Sequence, residues 1–165
     1  MNKEILIICR GGGDLATGIV HRLFRAGYQV LILETAEPAA IRRQVSFCEA
    51  VYEGTATVEG VTAERIYTAK KQAVEEVLQR GRIPLLVDPD GRSIEVLKPD
   101  VVVDAIIAKK NLGTYKEMAP LVIGIGPGFV AGKDVHLVVE SMRGHNLARI
   151  LETGSALANT GIPGN

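Results

Sequence analysis

Between residues 4 and 34 the sequence runs from an apolar stretch, Ile5-Leu6-Ile7-Ile8-Cys9, through a glycine turn, Arg10-Gly11-Gly12-Gly13-Asp14-Leu15-Ala16, into an amphipathic segment. After Gly27 it returns to an apolar run, Tyr28-Gln29-Val30-Leu31-Ile32-Leu33-Glu34. Read as strand, turn, helix and strand, the segment demands a crossover unit whose two strands lie parallel. Gly11, Gly13 and Ala16 fit the spacing G-x-G-x-x-[G/A], and Glu34 follows at the distance where such units place an acid for ribose hydroxyls. Each position has a physical task. Gly11 permits the sharp turn, Gly13 keeps a Cβ out of the path of a ligand, and Ala16 lets the helix lie close on its strand. The backbone of Gly11, Gly12, Gly13, Asp14, Leu15 and Ala16 is therefore expected to face a phosphate, drawn to free N–H groups at the positive end of the helix. Asp14 opens a competing possibility, because its carboxylate is placed to cap those N–H groups itself and to repel an anion.

Glu34, at the end of the second strand, suits an NAD-like ribose and opposes a 2′-phosphate; the alternative is an exposed charge at a strand end. Arg42 is a second candidate for contacting phosphate. It is adjacent to Arg43, and paired arginines at a helix start also serve simply as a solvated face.

The repeated rhythm of apolar strand and amphipathic helix predicts an α/β protein: a Rossmann-like, mostly parallel sheet with helices on both faces, plus a small C-terminal β-rich extension. Composition agrees with this. The 165-residue chain is 47% hydrophobic but only 4% aromatic and has no tryptophan, so its core is aliphatic, as in buried parallel sheets. Nineteen basic residues balance nineteen acidic ones, which gives no overall field for nucleic acid or anionic lipid. Cys9 and Cys48 are too far apart and too isolated to suggest zinc or a disulfide framework, and no apolar stretch is long enough to span a bilayer. With the charged start Met1-Asn2-Lys3-Glu4, these features lead to the expectation of a cytoplasmic protein.

Residues 1–120 are expected to form the nucleotide- or cofactor-binding unit. Its first helix carries a predicted stripe of Leu15, Ile19 and Leu23 with Val20 and Phe24 beside it. A second helix is predicted over 38–51, a hairpin or edge strand over 55–67, a helix over 69–81, and strands over 83–87 and 101–107. Residues 121–165 are expected to form a glycine-rich β extension, with short strands near 121–125, 134–140 and 147–151 and a tail from 154 packed on the unit.

Further candidates lie in the second half. Glycines after the 121–125 strand, Gly126 and Gly128 among them, suit a nest of N–H groups for an anion, or else a tight bend. Arg143 and His145 follow close by as potential donors to the same anion. With only three histidines and no paired ligand spacing, no metal site is predicted. Asp104 and Lys109 lie at the ligand-binding edge of the sheet, yet no triad or carboxylate dyad is evident, so catalysis is left open.

Five segments, R-G-G-G-D-L-A-T-G (10–18), R-R-Q-V-S-F-C-E-A-V-Y-E-G (42–54), V-D-A-I-I-A-K-K-N (103–111), G-I-G-P-G-F-V-A-G (124–132) and M-R-G-H-N-L-A-R (142–149), resemble the YqeB-type accessory family of selenium-dependent molybdenum hydroxylases. That family is similar to the Rossmann domain of xanthine dehydrogenase accessory factors. The resemblance implies a maturation role, with the molybdenum cofactor of the molybdopterin type, or a nucleotide such as NAD, held in transit. It also implies a molybdenum hydroxylase of the xanthine dehydrogenase kind as partner, self-association as an open possibility, and a further small β domain like a biotinyl carrier after 160–164. An NAD-dependent oxidoreductase and a nucleotide-sensing module are the alternative readings.

Overall fold

A computed structural model of the protein describes residues 4–158. The sequence 159–165, the end of the predicted tail, lies outside the described residues. The first three elements are strand β1 (Leu6–Arg10), helix α1 (Asp14–Arg25) and strand β2 (Gln29–Glu34). Two single-turn 3₁₀ segments and the short helix α2 (Ala50–Glu53) follow. A hairpin, β3 (Thr55–Val58) and β4 (Val61–Ile66), then leads through α3 (Lys71–Gln79) to β5 (Ile83–Val87). Helix α4 (Ser93–Leu97) precedes β6 (Val101–Asp104), and β7 (Leu121–Ile125), β8 (Leu137–Val139) and β9 (Ile150–Leu151) complete the order.

All nine strands form one sheet in the order β3-β4-β5-β2-β1-β6-β7-β8-β9. Within it β5-β2-β1-β6-β7-β8 are parallel neighbours, which is the 3-2-1-4-5-6 order of doubly wound dinucleotide-binding folds. The chain builds outward from β1 on one side through β2 and β5, then returns to the other side with β6. The crevice between β1 and β6 is thus the topological switch point, where such sheets bind ligands outside the carboxyl ends of their strands.

Each face carries its own core. On one, Ala16 and Val20 of α1 and Phe47, Ala50 and Val51 of the following segment cover Ile7, Cys9, Val30, Ile32 and Leu85. On the other, Val74 and Val77 of α3 and Ile94 of α4 join Ile8, Leu31, Val102 and Val122. Helices therefore lie on both faces, as the alternating pattern requires. The β-rich C-terminal stretch continues the sheet: β7 pairs in parallel with β6 from Val101↔Leu121 to Asp104↔Gly124, so the ladder crosses residue 120 without a break.

Local details correct several expectations. The helix predicted over 38–51 is replaced by a loop, the two 3₁₀ turns and the four-residue α2. Ser46 is extended (φ −126°, ψ 132°), and its hydroxyl donates to Asp14 Oδ1 at 2.5 Å while lying 2.9 Å from the Arg42 carbonyl. A serine that satisfies a distant side chain is lost to helix propagation. The first helix buries Ala16, Thr17 and Val20, whereas Leu15 stays 48% exposed. The predicted 101–107 strand ends at Asp104, because the segment beyond it turns across the sheet edge.

Candidate functional site

The turn after β1 is held from several sides. Gly11 has φ +104°, and a Cβ there would stand 2.9 Å from the Ala105 carbonyl oxygen. Its N–H donates to the Leu33 carbonyl at 2.8 Å, and the Gly12 carbonyl accepts from Cys48 N–H and the Thr17 hydroxyl. Thr17 Oγ1 in turn accepts the Phe47 N–H. The turn is thus fixed before any ligand arrives. Gly13, the N-cap of α1, differs from Gly11. Its φ of −74° is open to any residue, and a Cβ added there would meet open space. No side chain caps this end of α1, so the first-turn N–H groups lack the carbonyl partners found within a helix.

Those groups open on a cleft of about 540 Å³ at the carboxyl ends of β1, β2 and β6, with Gly11, Gly13, Asp14, Leu15, Ala16 and Glu34 among its lining. The geometry resolves the alternative for Asp14. Its carboxylate turns away from the helix amides to the Ser46 hydroxyl and to Arg42 Nε, 3.6 Å away. The hydrogen bond from Ser46, with help from Arg42 and against some burial, holds this carboxyl below its ordinary range. Glu34 is neither a free strand-end charge nor wholly available. Oε1 accepts the Gly12 N–H at 2.8 Å and Oε2 the Thr35 N–H at 2.7 Å, which orients the carboxylate at the cleft rim.

Sequence reasoning placed Asp104 at this edge of the sheet but missed the buried partners that hold it beneath the cleft, Arg10 and Thr114. Arg10 and Asp104 are opposite one another in the β1–β6 register and are each 2% exposed. Thr114 stands between them: its hydroxyl accepts from Arg10 Nη1 at 2.7 Å and donates to Asp104 Oδ2 at 2.6 Å. Arg10 Nη2 donates to the carbonyls of Pro89 and Leu112, and Asp104 Oδ1 accepts the Ile106 N–H. A buried charge must be paired and hydrogen-bonded, and here that requirement straps the 105–114 segment over the cleft, where Ile106, Ile107 and Leu112 form a wall. Ile107 (φ 58°) and Lys109 (φ 64°) are held left-handed, a conformation that costs about 1–3 kcal/mol each and marks an over-determined segment. The visible signal was an arginine at the end of an apolar strand.

Other predicted candidates lie apart. Arg42 lines a neighbouring hollow beside Asp14 and His21, on the outer side of α1. Gly126 and Gly128 back the cleft wall without lining the cleft. Gly126 donates its N–H to the Val139 carbonyl, and a Cβ on Gly128 would press to 2.8 Å of the Lys110 backbone. A Cβ on Gly124 would overlap the buried Phe129 ring. These glycines therefore have close-packing reasons independent of any anion. Arg143 and His145 are exposed on the following loop and are not among the residues lining the cleft.

Both thiols are inert by environment. Burial, reinforced by Asp104 and Glu34, raises the Cys9 thiol far above its ordinary range, and burial pushes Cys48 to about 11. A more open hollow of about 900 Å³ lies at the amino-terminal edge of the sheet, with mixed charges from Lys98, Asp100, Lys116 and Glu117. Its Asp100 is spent on the Leu6 N–H, and His136 Nδ1 accepts the Val122 N–H. Among the described residues no helix is long and apolar enough to cross a membrane.

No family model and no solved structure matches the chain. Among curated proteins it is 50% identical over 160 residues to the uncharacterized protein YqeB of Escherichia coli (strain K12), a match that takes in 97% of this chain and 29% of that protein. The chain thus spans less than a third of the length of the relative it resembles.

Proposed function

We propose that this chain binds a phosphate-bearing nucleotide or the molybdenum cofactor, and that in doing so it assists maturation of a selenium-dependent molybdenum hydroxylase in the cytoplasm. The observation that carries the binding half is the uncapped start of α1, which opens on a cleft at the switch point of the sheet. The residues fit the phosphate end of either ligand: the amides from Gly13 to Ala16 face a phosphate with no Cβ in its way, and Glu34 offers acceptors to ribose hydroxyls. The cleft wall is apolar and suits a flat heterocycle. The maturation half rests on the family resemblance, and YqeB is the relative that accords with it.

Gly13→Val tests the binding half. The backbone there tolerates valine and the side chain would enter open space, so the variant should fold normally yet lose calorimetric binding of NAD or of the molybdenum cofactor by at least ten-fold. Unchanged affinity would remove the site. For the maturation half, the purified protein should retain the cofactor or co-purify with a molybdenum hydroxylase; capture of neither would leave a nucleotide-binding module without that role.

A further inference from the structure

The carboxyl edge of the sheet is electrically divided. Beyond β2 and β5 its loops carry Glu37, Asp88 and Asp90 together with Arg42, Arg43 and Arg92, and each of these arginines is paired with a carboxylate. The loops beyond β6 and β8 differ. Residues 105–115 and 141–151 carry Lys109, Lys110, Arg143, Arg149 and His145 but no aspartate or glutamate. All five side chains are exposed, and among the described residues none of them forms an ion pair or a hydrogen bond. The fold brings these loops together. β6, β7 and β8 are parallel neighbours, so the segments that follow them leave the same edge. The glycine loop lies between: a Cβ on Gly128 would stand 2.8 Å from the Lys110 backbone, and one on Gly126 2.7 Å from Ser141 Oγ. The Glu140 N–H donates to the Arg149 carbonyl and its carbonyl accepts the Ala148 N–H, which returns Arg149 to this edge. The Glu140 carboxylate is buried at the junction and turned to the N–H groups of Met142 and Leu157, so it pairs with none of the cations.

Apolar surface lies among these charges. Leu147 is 53% and Ile150 62% exposed, on the same short stretch as Arg143 and Arg149. Apolar side chains flanked by arginine make up the surfaces that proteins use to dock on one another. A surface for single-stranded nucleic acid adds exposed rings on which bases stack; here Phe129 is buried and Tyr115 lines the hollow at the opposite edge of the sheet. Uncommitted like charges repel in the free protein, and they can meet the carboxylates of a partner without giving up internal bonds. We propose that the 141–150 loop, with Lys109 and Lys110 beside it, docks an acidic protein segment whose carboxylates flank an apolar side chain. Lys109 and Lys110 belong to the strap that walls the cleft, so the docked partner stands next to the cleft. Docking here is independent of what the cleft binds.

The test is a titration of the isotope-labelled full chain, read from amide NMR shifts, with a short synthetic peptide of alternating glutamate and leucine. Shifts should be confined to 109–110 and 141–151. The double variant Arg143→Glu/Arg149→Glu, still giving a folded spectrum, should bind about ten-fold more weakly. Lys70→Glu/Lys71→Glu, which changes the net charge equally at the start of α3, should bind as the wild type does. A peptide with serine in place of leucine should bind about five-fold more weakly, since it brings no apolar surface to bury. No shifts in the wild type, shifts centred elsewhere, or an unmoved affinity in the arginine variant would overturn this surface. Equal binding of the serine peptide, or tighter binding of duplex DNA or of phosphatidylserine vesicles than of the glutamate–leucine peptide, would overturn a protein as its partner.

Discussion

Gly11 and Gly13 stand two residues apart in one motif and do opposite work. Gly11 is required by the fold: its φ of +104° is a region that side chains avoid, and the Ala105 carbonyl fills the position of a Cβ. Gly11→Ala should therefore destabilise the protein by about 1–3 kcal/mol from the backbone alone, with the steric clash adding to it. Gly13→Ala, placed at an ordinary φ and facing open space, should shift stability by no more than about 0.5 kcal/mol. Urea unfolding of the two variants separates them, and equal losses would mean that Gly13 also serves the fold. The motif spacing already gave the sharp turn to Gly11 and ligand approach to Gly13, and the backbone agrees that only Gly11 needs a conformation reserved for glycine. Spacing was less informative for Gly126 and Gly128. They read as an anion nest or a tight bend, and in the fold Gly128 makes room for the Lys110 backbone and Gly126 for the Ser141 side chain, contacts between positions distant in sequence that no local pattern encodes.

Elements were legible where one interaction dominated. The strand β5 and the hairpin β3–β4 follow from apolar runs bounded by turn residues, and α3 from its stripe of Val74 and Val77. The 38–51 helix failed because tertiary contacts outbid periodicity. Phe47 and Cys48 are drawn fully under α1, Cys48 N–H binds the Gly12 carbonyl, and Tyr52 Oη binds the Pro38 carbonyl. Helix α4 escaped notice at five residues. Nor did any pattern reveal the strap from 105 to 114, whose fixed point is a threonine hydroxyl between two buried charges. Asn111 brackets Thr114 as well, donating to its carbonyl and accepting its N–H, each at 2.7 Å. Replacing Thr114 with valine leaves an Arg10 N–H and an Asp104 oxygen without their shared partner, at a cost of about 1–3 kcal/mol or more because both are charged. Hydrogen exchange should show Thr114→Val losing protection at the Ile106 and Thr114 amides while the central strands keep theirs, and Thr114→Ser should retain it. Unchanged exchange in the valine variant would mean that Arg10 and Asp104 hold the segment through their backbone contacts alone.

At the scale of the molecule, the shift in composition after residue 120 suggests an appendage, whereas the hydrogen-bonded ladder argues for continuity. β7 covers the whole of β6, from Val101 to Asp104, and β8 extends the same parallel sheet. Below that ladder, Val122, Phe129, Val135 and Val138 share one buried cluster with Ile8 and Leu31 from the first unit. Each such side chain contributes about 1.5–3 kcal/mol by leaving water, against a total stability of about 5–15 kcal/mol for a domain of this size. A chain ending at 120 would expose β6 as a bare apolar edge and uncover one side of the central strands. The Arg10–Thr114–Asp104 link beneath the cleft would then lie on an open edge, since Asp104 is the last residue of β6. We therefore expect the intact protein to unfold in one calorimetric transition, with van't Hoff and calorimetric enthalpies in agreement. The 1–120 fragment should lack that transition and aggregate. A fragment that unfolds cooperatively and still titrates with nucleotide would instead make residues 1–120 a self-sufficient binding unit, with the later strands added to a sheet that was already stable without them.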